Sequence, residues 1–107
     1  MSKKSTEIVS VRIHPNTSSH PAGKLADAEV IFEADAGPFN GMKLVGFAVW
    51  ERRTGGGRNV TFPARAYSVN GERRSFALLR PANGEVSGQE AVRDLILAAY
   101  NAAVIEA

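Results

Sequence analysis

Seven arginines fall in one stretch of this chain: Arg52, Arg53, Arg58, Arg65, Arg73, Arg74 and Arg80. One acid, Glu72, shares the stretch, so it carries +6 while the rest of the chain carries −4, for a total of +2. The stretch holds no lysine. A guanidinium is a planar fork of donors that matches phosphate and stacks on bases, which an ammonium does not. Charge alone is equally well explained by a solvated basic face, so spacing has to separate the two readings. Arg65 lies on an apolar-polar run that ends at Asn70-Gly71, a strong hairpin signal, and Arg73 and Arg74 open the return run. Folding back at that turn brings three guanidinium groups to one end of a sheet, with Tyr67 among them as a stacking surface. Like charges gathered this way repel until an anion joins them, and a nucleic-acid backbone is such an anion. The plainer alternative lays each arginine stem along apolar surface. Arg52, Arg53 and Arg58 form a second basic group around Gly55-Gly56-Gly57. Backbone amides of a glycine run can cradle phosphate. No helix opens directly after this run, however, and a turn between strands accounts for it better.

Other chemistry is sparsely provided. The two histidines, His14 and His20, each precede a proline, and the chain has no cysteine. Neither a thiolate metal site nor a helical His pair can be assembled from this set. Asp27, Glu29 and Glu33 fall on the polar side of one alternating run, where carboxylates are ordinarily solvated; nothing nearby would push their pKa values apart, as acid/base work requires. Neither a Gly-x-Ser-x-Gly elbow nor a Gly-x-x-x-x-Gly-Lys-Ser/Thr loop is present. The expectation is a protein that is not an enzyme and uses no cofactor, metal or small-molecule substrate.

The elements that must position the arginines are legible from periodicity. Residues 7–14 alternate, with Val9, Val11 and Ile13 on one side. Residues 15–23 carry turn chemistry. Residues 25–33 alternate again, with Ala26, Ala28, Val30 and Phe32 on one face, and a turn follows over residues 34–41. Residues 42–51 are apolar on both faces: Leu44, Ala48 and Trp50 on one, Val45, Phe47 and Val49 on the other. Such a strand is central and covered twice. A fourth strand is expected over residues 60–67, at an edge or bulged because Pro63 has no N–H. A fifth runs over residues 73–80, with Phe76 and Leu78 on one face. Ser87-Gly88-Gln89-Glu90 reads as a capping box. Val92, Leu95, Ile96, Ala99, Tyr100 and Ala103 then form one helical stripe. The predicted fold class is α+β: about five antiparallel strands followed by one C-terminal helix, in a single domain over residues 1–107 with residues 1–6 frayed.

A lone helix covers one face of one sheet. The doubly apolar third strand therefore needs a second cover, and a symmetric partner is the simplest source, so a homodimer is expected ahead of a sheet curled into a barrel. Without cysteines, an apolar leader or an apolar run long enough to span a bilayer, the chain reads as a cytoplasmic protein with no membrane partner.

The stretch Val60-Thr61-Phe62-Pro63-Ala64-Arg65, Asn70-Gly71-Glu72-Arg73, Phe76 to Pro81, and Ala91-Val92 through Leu97-Ala98-Ala99-Tyr100 resembles the stage V sporulation protein G (septation regulator) family. The resemblance covers residues 58–102 and extends more loosely to residues 8–13 and 26–32. It implies a small dimeric α+β protein that binds DNA or RNA as a regulator of septation and sporulation. By position it implies phosphate contacts at Arg65, Arg73 and Arg74. Three departures stand out: Ala66 where the family has a second basic residue, Arg80 in place of a histidine, and longer loops at 15–23 and 34–41. A protein-interaction or assembly module of the same fold, without a nucleic-acid role, is the rival expectation.

Overall fold

The computed structural model describes residues 8–18 and 20–106; the frayed start expected at residues 1–6 lies outside them. Six strands and one long helix follow in order: β1 (Val9–Pro15), β2 (Lys24–Phe32), β3 (Lys43–Glu51), β4 (Arg58–Thr61), β5 (Ala64–Val69), β6 (Glu72–Ala77) and α1 (Ser87–Glu106), with a short 3-10 segment, Ala34–Phe39, between β2 and β3. The fold is α+β, as the pattern predicts. The first four strands form an open antiparallel sheet in sequential order, and β5 and β6 form a separate two-stranded sheet. The barrel alternative is thereby excluded.

The expected fourth strand is two strands. Proline cannot donate to a ladder, and the chain leaves the first sheet at Phe62-Pro63 and re-enters pairing at Ala64 with a new partner. This break sends β5 and β6 out as an arm. The radius of gyration is 15.5 Å and the longest axis 53 Å, against about 13 Å for a compact chain of this length.

Alternation in β1 and β2 buries Ala26, Ala28 and Val30, with Val9, Val11 and Ile13 packed beside them. Helix α1 lies across this face and closes the core with Ile96 and Tyr100. Its buried and half-buried positions include Val92, Leu95, Ile96, Ala99, Tyr100 and Ala103, the stripe read from the sequence. Phe47, Val49 and Ile96 are the largest fully buried side chains, each contributing about 1.5–3 kcal/mol of burial. The helix start is shifted by one from the expected capping box. The Glu90 amide donates to the Val86 carbonyl at 3.1 Å, so Val86 is the cap residue and Ser87 already the first helical position.

Strand β3 departs from simple alternation. Ala28 pairs with Phe47 but Val30 pairs with Leu44, so β3 holds one extra residue between these pairs. That bulge reverses the phase. Leu44 joins Phe47 and Val49 on the helix side, and Val45, expected beside Phe47, faces outward and is 52% exposed. Gly46 sits in the bulge at φ +109, and a Cβ there would lie 2.9 Å from Pro63 Cβ. Glycine is thus required by both backbone and contact. Pro63 is buried against it, so the bulge seats the residue from which the arm departs.

Candidate nucleic-acid interface

The arm is built by its turn. Asn70 and Gly71 adopt φ values of +52 and +83, the left-handed pair of a type I′ hairpin. A two-residue turn pairs Val69 with Glu72 and fixes every pair behind it: Ser68 with Arg73, Tyr67 with Arg74, Ala66 with Ser75, Arg65 with Phe76, Ala64 with Ala77. Paired residues share a face, and successive pairs alternate. One face therefore carries Arg65, Tyr67, Val69, Glu72, Arg74 and Phe76. The other carries Ala64, Ala66, Ser68, Arg73, Ser75 and Ala77.

This register corrects the expected cluster. Arg65 and Arg74 share a face, but Arg73 points to the opposite side, among alanines and serines. Arg80 takes the third place instead: its guanidinium carbon lies 5.9 Å from the centroid of the Phe76 ring. Phe76, expected on one face with Leu78, is 40% exposed, as is Tyr67. The two rings lie 5.7 Å apart in a tilted pair. Three guanidinium groups and two aromatic rings thus occupy one exposed surface. Arg74 donates to Glu72 at 3.0 Å, a surface pair of small stabilising value. No carboxylate among the described residues lies within ion-pair distance of Arg65 or Arg80.

The second basic group does not join the first. Strand β4 runs from Arg58 at the β3–β4 loop towards Pro63, where the arm begins, so the loop lies about 20 Å of extended chain from the hairpin base. Gly55-Gly56-Gly57 closes that loop, with the Arg52 amide donating to the Gly57 carbonyl at 3.1 Å, and Arg52 and Arg53 are exposed on it. Arg58 is committed elsewhere. Its guanidinium lies 5.1 Å from the Tyr100 ring centroid and donates to Asn101 Oδ1 at 3.4 Å. It ties β4 to the helix rather than facing solvent alone.

The outer face of the four-stranded sheet carries charge in pairs: Lys24 with Asp27 at 2.6 Å, and Glu29 between Lys43 and His14 at 3.2 and 3.5 Å. Burial of Glu29 raises its pKa, but hydrogen bonds and positive charge from Lys43 and His14 outweigh this and hold it below the ordinary 4.5. Trp50 stands on the same face, and its indole Nε1 donates to Thr61 Oγ1 at 2.8 Å. Among the described residues no cluster of three His, Cys, Asp or Glu side chains could hold a metal, and no helix is long and apolar enough to cross a membrane.

What sequence reasoning missed was Phe76. The signal was present: a two-residue Asn-Gly turn places Phe76 opposite Arg65 by counting back along the ladder. No family model, curated protein or solved structure matches this chain.

Proposed function

We propose that the protein is a non-catalytic regulator that binds DNA or RNA through one face of the β5–β6 arm. The observation that carries this reading is the joint exposure of Arg65, Arg74 and Arg80 with Tyr67 and Phe76 on a single surface. Guanidinium groups neutralise phosphates and release counterions. Aromatic rings beside them offer stacking platforms that any base can use. The arrangement offers a partner for each half of a nucleotide, phosphate and base. Arg73, on the reverse face, contributes to the field of the arm but not to this surface.

Fluorescence anisotropy with labelled DNA and RNA of mixed sequence tests the reading. Three phosphate contacts per arm give a slope of about −2 in log affinity against log salt for single strands, so raising salt from 50 to 200 mM weakens binding about 20-fold. Arg65→Ala should weaken binding to all sequences alike and lower the slope, and Arg73→Ala should do less. Equal affinity at both salt concentrations would refute the proposal.

A second reading is favoured by the apolar exposure of Val69 (39%) and Leu78 (55%) on the same arm: a module that docks a protein partner. Salt-insensitive capture of a protein by the arm, without any shift of DNA or RNA, would establish it instead.

We also infer that two copies associate through the outer sheet face. The half-buried Trp50 and the exposed Val45 flank the buried Ala48 there, on the face opposite α1. Sedimentation at twice the chain mass is expected, and Val45→Glu should halve it; a wild-type monomer at tens of micromolar would refute the inference.

A further inference from the structure

Between the base of the arm and the first turn of α1 lies a cleft of about 200 Å³, lined by Phe62, Leu79, Arg80, Gly88, Gln89 and Val92. Its walls are mainly apolar, and its volume is below the range of about 300–1,000 Å³ typical of sites for drug-sized ligands. It suits one planar ring system. Phe62 packs edge-on to Phe47, with ring centroids 5.2 Å apart. Gln89 is half-buried at the lining and brings an amide with two donor hydrogens and an acceptor oxygen. Arg80 belongs to both surfaces: its side chain lines the cleft while its guanidinium sits over Phe76 on the arm.

From this continuity we propose that the cleft receives one unstacked nucleobase of a single strand lying along the arm. The inference rests on the reading of the arm as a nucleic-acid surface and adds to it a substrate class: single-stranded in preference to duplex. A strand whose phosphates meet Arg65, Arg74 and Arg80 passes over the cleft mouth at Arg80. A base turned inward there leaves water for apolar walls and presents its edge to Gln89, as single-strand readers do with splayed bases. Bases held in a duplex cannot enter. The positive charge at the mouth selects a nucleotide over an uncharged ring, because the base arrives with its phosphate.

Gly88 offers a clean probe. It lines the cleft, and a Cβ built on it meets nothing within 4 Å. Leucine is also the better helix former, so Gly88→Leu adds bulk at the cleft lining and leaves the helix intact, which far-UV circular dichroism checks. Anisotropy would be measured with a labelled single strand of about 12 nucleotides, a length within the site sizes of single-strand binders, and with its blunt duplex, for wild type, Gly88→Leu and Arg65→Ala/Arg74→Ala. Wild type should prefer the single strand. Gly88→Leu should lose about tenfold on the single strand, the loss of one stacked base, with duplex binding unchanged. If Gly88→Leu binds the single strand as wild type does while the double arginine variant is weakened, the cleft is not a base site and the arm reading stands. If wild type binds neither probe at 50 mM salt, both fall together.

Discussion

Replacing Gly46 with alanine should destabilise this fold by about 2–5 kcal/mol, more than a methyl group added at any other glycine. Two costs combine. At φ +109 an L-residue is strained by about 1–2 kcal/mol. The new Cβ would also lie 2.9 Å from Pro63 Cβ, a carbon tied to the backbone and unable to rotate away. Forcing a methyl group into such a contact costs about 1–3 kcal/mol. Against a total stability of about 5–16 kcal/mol for a chain this long, that is a large fraction, and the melting temperature should fall by roughly 10–20 °C. Urea unfolding followed by the emission of the single tryptophan, Trp50, gives the difference by linear extrapolation. The control is Gly41→Ala. Gly41 also has positive φ, at +85, but open space around its Cβ, so only the backbone cost of about 1 kcal/mol applies. If the two variants differ by less than about 0.5 kcal/mol, Pro63 does not press on the bulge. The account of how the arm is anchored would then be wrong. Because Pro63 is the residue from which β5 departs, Gly46→Ala should also weaken nucleic-acid binding, whereas Gly41→Ala should not.

Two further outcomes follow from the charges. Glu72→Gln should tighten binding severalfold and steepen its salt dependence, because it frees Arg74 from the 3.0 Å pair and removes the one acid from the arm's aromatic face; weaker binding, measured by anisotropy, would mean that Glu72 positions Arg74 instead. The stabilisation that Glu29 draws from Lys43 and His14 should be present above its unfolded pKa and disappear as pH falls through its depressed folded value, since protonation removes the charge both partners hold. Chemical denaturation between pH 6 and 3 should therefore show a smaller acid-induced loss for Glu29→Gln than for wild type, and identical curves would count against the pairing.

The sequence reveals those parts of the fold where periodicity has a phase. In β1 and β2 apolar and polar residues alternate, so only one face can be buried, and the structure buries it. The stripe from Val92 to Ala103 is equally unambiguous. Strand β3 is not, because Leu44 and Val45 are both apolar and either could face the helix. The phase is set by an extra residue at Gly46, and that bulge is dictated by a contact with Pro63, seventeen positions away in the chain. Local pattern cannot report a packing requirement of that range. The cap falls on Val86 and not on Ser87, since the Val86 carbonyl accepts the first helical bond, from Glu90. At the site, residue types were legible and faces were not. Arg65, Arg73 and Arg74 lie on one hairpin, but a ladder has two sides, and Arg73 faces away from the other two.

The two-sidedness bears on why the aromatic rings are outside the core. An isolated two-stranded hairpin is marginal in water, and arginines on one face weaken it further by repulsion. The arm is held by its I′ turn, the Tyr67–Phe76 pair and the seat of Pro63 on Gly46, with the Leu78 amide donating to the Pro63 carbonyl at 2.9 Å. The break at Phe62-Pro63 ends the pairing of β4 with β3 and turns β5 to pair with β6. The rings stay exposed beside the guanidinium groups. Burial therefore does not account for the pairing of aromatic and cationic residues on this face. Under the proposed function, the pairing answers a ligand with flat apolar rings joined by anionic links.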